Sequence, residues 1–278
     1  MAKCEVCFRH CEIKEGETGF CGGRTCTEGK VCADNYGRIT SLALDPIEKK
    51  PLRRFHPHSM ILSVGSYGCN LRCPFCQNYE ISWSEQAMRL RNKTEQVLPR
   101  RLADMAANTQ RQGNIGLAFT YNEPLIGYEF VRDTAKLIHE QGMANVLVTN
   151  GMAELPVLEE LLPWIDAMNI DLKGFTDHYY EDILGGKRDM VMRFIERCVG
   201  HCHVELTTLI VPGENDTEDE MRALSGYIAE LDPEIPLHIS RFFPRFHMKD
   251  RGATEVSRIY RLAGIAKENL RYVYTGNC

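Results

Sequence analysis

From Met60 onward, short apolar runs of strand length alternate with amphipathic stretches at helical spacing, and that rhythm restricts the chain to a βα architecture. The candidate strands are Met60–Ser66, Gly116–Tyr121, Ala144–Thr149, Ala167–Lys173, His203–Val211, Pro236–Phe243 and a short Tyr272–Tyr274. Between them Ile126, Phe130, Thr134, Leu137 and Ile138 form one apolar stripe. Met221, Leu224, Ile228 and Leu231 form another, and Val256, Ile259, Ala263 and Ala266 a third. Six such units fall short of the eight that close a barrel, so residues 60–278 read as α/β, an open, partial (β/α)6 barrel. The strand Ala167–Lys173 carries a functional hint, because side chains alternate faces along a strand. Met168, Ile170 and Leu172 suit packing under helices, whereas Asn169, Asp171 and Lys173 suit either an inward-facing reactive cavity or a solvated face.

Residues 1–59 differ: they are rich in Cys, Gly and charge, with short candidate strands at Lys30–Ala33 and Arg38–Leu44, and read as a small metal-stapled cap. Nothing at the N-terminus resembles a signal peptide and no apolar run approaches the roughly 20 residues that span a bilayer, so the expected location is cytoplasmic, with no membrane partner. A net charge of −5 makes nucleic acid a poor candidate partner. In that compartment cysteines point to metal or redox chemistry rather than disulfides. Six of the twelve lie before residue 33 and three between 69 and 76.

The second group decides the chemistry. Cys69, Cys73 and Cys76 form C-x3-C-x2-C directly after the first strand of the βα series. Three thiolates on an iron–sulfur cube leave one iron free for an exogenous ligand, here S-adenosylmethionine (SAM) through its amino and carboxylate groups. A structural zinc site normally closes with four protein ligands, and the loop offers no fourth. Cys4, Cys7, Cys11 and Cys21 form C-x2-C-x3-C-x9-C, enough for a tetrahedral zinc site or a second iron–sulfur cluster, with Cys26, Cys32 and His10 as spare ligands. Cys198 and Cys202 share a helical stripe with Val191 and Phe194 and read as core.

The triad, with Gly19–Gly22, Asp45–Leu52, Cys69–Asn78, Phe119–Pro124, Asn169–Lys173 and His238–Phe242, resembles the radical SAM superfamily, in the branch related to pyruvate formate-lyase-activating enzyme and often called AmmeMemoRadiSam-system proteins. The resemblance implies a radical SAM barrel whose [4Fe–4S] cluster cleaves SAM reductively to a 5′-deoxyadenosyl radical. It places Phe75, Glu123, Asn150, Asp171, Lys173 and His238 around the cofactor. Relatives carry a Gly-Gly-Glu element at the SAM ammonium where this chain has Tyr121-Asn122-Glu123, and Glu123 could equally cap the helix that follows. Asn150 and Asp171 fall near the ribose and the methionine carboxylate. Lys173 would form a charge-assisted hydrogen bond to that carboxylate, unless it is a surface lysine. His238 reads either as a SAM or substrate contact or as a core histidine; Arg241, His247 and the turn Val211–Asp216 are weaker candidates.

The activity so implied is hydrogen abstraction from a protein glycine, the activation of a glycyl radical enzyme, with flavodoxin or ferredoxin as electron donor and Memo-like and AMMECR-like proteins as partners. Radical chemistry on a small molecule or an RNA nucleoside is the second reading. A non-catalytic iron–sulfur component of a Memo/AMMECR-linked complex is the third.

Overall fold

A computed structural model describes residues 1–91 and 93–278. Two short hairpins open the chain: β1 (Ala2–Lys3) with β2 (Glu12–Ile13), and β3 (Arg24–Thr27) with β4 (Lys30–Ala33). An eight-stranded sheet follows, running in spatial order from β5 (Ser41–Pro46) through β6 (Met60–Gly65), β7 (Asn114–Phe119), β8 (Ala144–Thr149), β9 (Ala167–Asp171), β10 (His203–Ile210) and β11 (Leu237–Arg241) to β12 (Val273–Gly276). Strands β6 to β12 are parallel, and β5 pairs antiparallel with β6 as an edge. The boundary expected after residue 59 therefore cuts across the β5–β6 hairpin, and residues 41–46 belong to the sheet.

After the short α1 (Tyr79–Ser82) and α2 (Glu85–Leu90), the six crossovers carry α3 (Pro99–Asn108), α4 (Tyr128–Glu140), α5 (Leu155–Leu161), α6 (Arg188–Cys198), α7 (Glu218–Leu231) and α8 (Val256–Ala266). This is the partial (β/α)6 barrel with one further parallel strand. Parallel strands need such helical crossovers, because a tight turn cannot return the chain in the same direction. The stripes are largely as read, with local differences. Ile126 precedes α4 in a 3₁₀ turn at Pro124–Gly127, while Val131 and Ala135 are buried in α4 and Leu137 only partly. No helix among the described residues is long and apolar enough to cross a membrane.

Alternation along the strands divides the apolar residues between two places. Leu62, Leu117, Leu147 and Met168 pack outward into the core that includes the helices, while Ile61, Ala118, Val146 and Ala167 form a separate cluster with Ile47 and Leu52. Ile47 and Leu52 belong to the family-like run Asp45–Leu52, and their side chains lie inside the barrel, where they fill its lower end and form a floor. Pro51 fixes the run by accepting at its carbonyl from Asn169 Nδ2 at 2.9 Å. Glu205 fixes it again, accepting from the backbone N–H groups of Arg53 and Arg54 at 3.0 and 2.7 Å.

Candidate active site

Above that floor, the C-terminal ends of the strands surround a cavity of about 620 Å³, where (β/α) barrels gather their reacting groups. Cys69, Cys73, Cys76, Phe75, Glu123, Asn150, Asp171, Lys173 and His238 all line it. Arg241, His247 and the turn at Val211–Asp216 do not. Arg241 donates to the Thr254 carbonyl, and the His247 ring packs on Phe246 and Trp83.

The triad sits on the loop after β6. The Cys69 sulfur accepts from the Leu71 N–H at 3.4 Å and from Asn150 Nδ2 at 3.8 Å, and Cys76 Sγ lies 3.4 Å from Ser82 Oγ. Burial raises the Cys69 thiol well above its ordinary value, with the Glu123 carboxylate adding to the effect. Burial pushes Cys73 up to about 12, against the pull of the nearby Lys173 ammonium. Such thiols stay protonated at neutral pH until a metal displaces the proton. Three soft sulfur donors suit an iron–sulfur cluster. Three cysteines on one loop are one ligand short of a closed structural zinc site, whereas a cluster held by three thiolates keeps one iron open to an exogenous ligand.

Glu123 caps the 3₁₀ turn after β7 and also lines the cavity, so the two readings of it are compatible. It accepts from the Leu125 N–H at 3.0 Å, the Thr149 hydroxyl at 2.7 Å and the Asn150 N–H at 2.8 Å. These donors are all neutral, and burial raises the carboxyl to about 7 despite them. A carboxylate in that state gains most from a cation placed beside it. Asn150 has its side-chain amide engaged by protein: Nδ2 donates to Asn70 Oδ1 at 2.9 Å, and Oδ1 accepts from the Met152 N–H at 2.9 Å. It therefore holds the triad loop.

Lys173 lies just beyond β9 with its side chain 17% exposed, which removes the surface-lysine reading. Its ammonium donates to Asp171 Oδ2 at 2.8 Å. Burial works against the charge, yet Asp171 and the Cys73 sulfur outweigh it and hold the pKa above the usual lysine value. The Lys173 backbone N–H donates to the Tyr180 hydroxyl at 2.9 Å, from a single π-helical turn at Tyr179–Leu184. Turns of that kind recur at functional sites. Phe75, almost fully buried, stacks parallel to Tyr179 at 6.5 Å and meets Phe242 edge-on at 6.3 Å.

His238 is a core histidine and a cavity residue at once: Nε2 meets Glu205 Oε2 at 2.6 Å, and the ring stacks on Tyr274. Glu205 is fully buried and escaped the sequence reading. Burial pushes its pKa up, but His203, His238 and the N–H groups of Arg53 and Arg54 together bring it down to about 2. One further cavity residue, Tyr121, was missed as a member of a buried network with Asp45 and Lys50. The Tyr121 hydroxyl donates to Asp45 Oδ2 at 2.8 Å, and Lys50 Nζ, 4.7 Å from the Tyr121 ring centroid, donates to the same oxygen at 3.0 Å. Tyr121 has φ +72°, the left-handed conformation that glycine adopts freely.

Cys4, Cys7, Cys11 and Cys21 line a second, small cavity, lined also by Arg9 and Arg24. The spare ligands stand elsewhere: the Cys26 sulfur donates to Glu15, Cys32 is exposed, and His10 is paired with Glu5 and Glu154. Cys198 is core, its sulfur 3.6 Å from that of Met168.

The comparisons with known proteins agree with this arrangement. The Radical SAM superfamily profile matches residues 63–224. An uncharacterised protein of Methanocaldococcus jannaschii is 39% identical over 280 residues, covering 99% of this chain and 81% of that protein. The pyruvate formate-lyase 1-activating enzyme of Escherichia coli is 25% identical over 167 residues, covering 59% of this chain and 66% of that enzyme. The crystal structure of Streptococcus suis SuiB bound to S-adenosylmethionine superposes with a TM-score of 0.59 at 13% identity, over 78% of this chain and 52% of that one. A profile match over more than half of the chain, from within β6 through the first half of α7 and including the cysteine triad, shows that the chain belongs to the radical SAM superfamily, whose enzymes use a [4Fe–4S] cluster and SAM.

Proposed function

We propose that the enzyme abstracts a hydrogen atom from a glycine of a partner protein. The observation that carries this reading is the similarity to pyruvate formate-lyase-activating enzyme, which extends over 59% of the chain. When bound, the cluster and SAM supply a 5′-deoxyadenosyl radical. Cys69, Cys73 and Cys76 hold the cluster, and the N–H groups directed at the Cys69 sulfur help stabilise its thiolate. Glu123, held by neutral donors only, takes the SAM ammonium. Lys173 takes the carboxylate while keeping Asp171 as its counter-ion. Asn150 fixes the loop that carries the triad, and the wall built on Phe75 and Tyr179 excludes water. His238, held through Nε2 by Glu205, leaves Nδ1 for the cofactor or the substrate.

The test is anaerobic incubation of the reconstituted enzyme, with a reduced flavodoxin or ferredoxin as donor and candidate glycyl radical enzymes deuterated at glycine. Deuterium should appear in 5′-deoxyadenosine, together with a glycyl radical signal in electron paramagnetic resonance. Label arriving only from a small molecule or a nucleoside would overturn the glycine reading and leave the superfamily chemistry in place.

A further inference from the structure

We propose that Cys4, Cys7, Cys11 and Cys21 hold a second [4Fe–4S] cluster, docked against the triad loop so that the two clusters exchange an electron. This inference is independent of which substrate the radical attacks.

The four thiols, spread over eighteen residues of sequence, line one cavity of about 10 Å³. Backbone turns bring them there: the Cys4 N–H donates to the Cys11 carbonyl at 2.9 Å, and the His10 N–H to the Cys7 carbonyl at 3.1 Å. Val6, Ile13 and Ile126 complete the lining, so the sulfurs are enclosed by apolar side chains. Four thiolates, one for each iron, complete the ligation of a cube.

The surrounding charge calls for an anion. Arg9 lines the cavity and faces Cys7, Cys11, Cys21 and Cys69, and its hydrogen bonds go to the carbonyls of Asn70 and Gly185 at 2.8 and 2.6 Å. Arg72 donates to the carbonyls of Phe20, Cys69 and Leu71. The two guanidinium groups lie 3.4 and 3.7 Å from the centroid of the Phe20 ring. Among the described residues neither has a carboxylate partner, and partly buried cations are normally paired. A cluster with four thiolates carries net negative charge and supplies the missing partner for Arg9, which lines the cavity.

The two cysteine loops touch. The Cys69 N–H donates to the Cys21 carbonyl at 3.0 Å, so one hydrogen bond joins a residue of each set. Gly68, with φ +95°, makes this approach feasible: a Cβ there would stand 2.8 Å from that carbonyl oxygen and 2.6 Å from Ile126 Cδ1. In the exchange, the reduced N-terminal cluster loses one electron and the triad's oxidised cluster gains it. A low-potential protein donor of the flavin or iron–sulfur class then restores the first.

The test uses the full chain reconstituted without oxygen, measuring iron, zinc and acid-labile sulfide per chain and the paramagnetic resonance of the reduced protein. Wild type should hold about eight irons, and the Cys69→Ala, Cys73→Ala, Cys76→Ala variant about four. The reduced wild-type spectrum should show spin interaction that the triad variant lacks. A wild type with about four irons and one zinc, or a triad variant without iron, would overturn the cluster. Spectra of wild type that equal the sum of two isolated clusters would overturn the exchange. Because the triad variant keeps all four N-terminal cysteines, the outcome does not depend on whether a four-serine variant folds.

Discussion

Both cavities are built around cysteines, but the charge around them is balanced in opposite ways. In the wide cavity and the layer directly behind its wall, these buried charges have their partners within the protein: Lys173 with Asp171, Lys50 with Asp45, and Glu205 with two histidines and two backbone N–H groups. Glu123 is the exception, a carboxyl held by neutral donors. Around the small cavity Arg24 is paired with Glu129, but Arg9, which also lines it, and Arg72, on the adjoining triad loop, have carbonyl partners and, among the described residues, no carboxylate. The first pattern suits a polar ligand that comes and goes, because the site stays satisfied when empty. The second suits a resident anion whose loss would leave partly buried cations without a counter-charge.

The largest expected effect separates the two cysteine sets. Changing Cys69, Cys73 and Cys76 to Ala should abolish 5′-deoxyadenosine formation, whereas changing Cys4, Cys7, Cys11 and Cys21 to Ser should lower thermal stability and leave some cleavage with a chemical reductant. Undiminished cleavage by the triad variant, followed by chromatography of the nucleoside product, would break the comparison outright.

A second experiment addresses the wide cavity's self-sufficiency. Removing one partner from a buried ionic hydrogen-bonded set costs about 3–5 kcal/mol, so Glu205→Ala should lose stability on that scale in denaturant unfolding. The pH dependence has a definite sign. The folded pKa of Glu205, about 2, lies below its ordinary value of 4.5. Its contribution is therefore fully present above pH 4.5 and is lost as pH falls from there toward 2. Glu205→Gln should flatten that part of the stability curve, and an unchanged acid limb would mean that the clamp contributes nothing.

Next comes Lys173. Truncating one member of a desolvated charge pair costs about 2–5 kcal/mol, so Lys173→Met should weaken SAM binding more than tenfold while the triad's iron content stays constant. Calorimetry on the anaerobic protein measures the first and iron analysis of the same preparation the second. An unchanged dissociation constant would confine Lys173 to neutralising Asp171.

These tests fall on residues of unequal legibility. The triad was readable because metal chemistry constrains spacing along the chain, and Ala144–Thr149 because a buried parallel strand is a short apolar run with clear ends. The polar alternation of Asn169, Asp171 and Lys173 pointed to the interior, where Asp171 and Lys173 line the wide cavity. Glu205 was not readable: its donors Arg53 and Arg54 are about 150 residues away and use their backbones, which leave no mark on residue type. The same applies to Asn122, whose amide joins the carbonyls of Tyr67 and Gly68 and accepts from the Ser66 N–H. The run at Asp45–Leu52 was visible as a family segment, but its place as a floor follows from tertiary packing of Ile47 and Leu52 against inward residues of four strands.

The smallest expected effect concerns Tyr121, which stands in the left-handed region at φ +72°. For a bulky L-residue that conformation costs roughly 1–2 kcal/mol, and the surroundings must hold it. The hydroxyl donates to Asp45, whose carboxyl is pushed up by burial but brought down to about 2 by Tyr121, Lys50 and Lys49. Tyr121→Phe keeps the ring near the Lys50 ammonium and removes only that hydrogen bond. Asp45 retains both lysines, so no carboxylate is left unpaired, and the loss should be about 1.5 kcal/mol, the low end for a hydrogen bond to a charged group. The midpoint of urea unfolding should fall with its slope unchanged, and iron at the triad should be unaffected, because Tyr121 touches none of its cysteines. A loss well above this size would mean that the hydroxyl holds the strained backbone in place, and Tyr121→Gly, which relieves the strain, should then recover part of it. If Tyr121→Phe is as stable as wild type, Asp45 is satisfied by its lysines alone, and the left-handed turn is held by the hydrogen bonds of its neighbour Asn122.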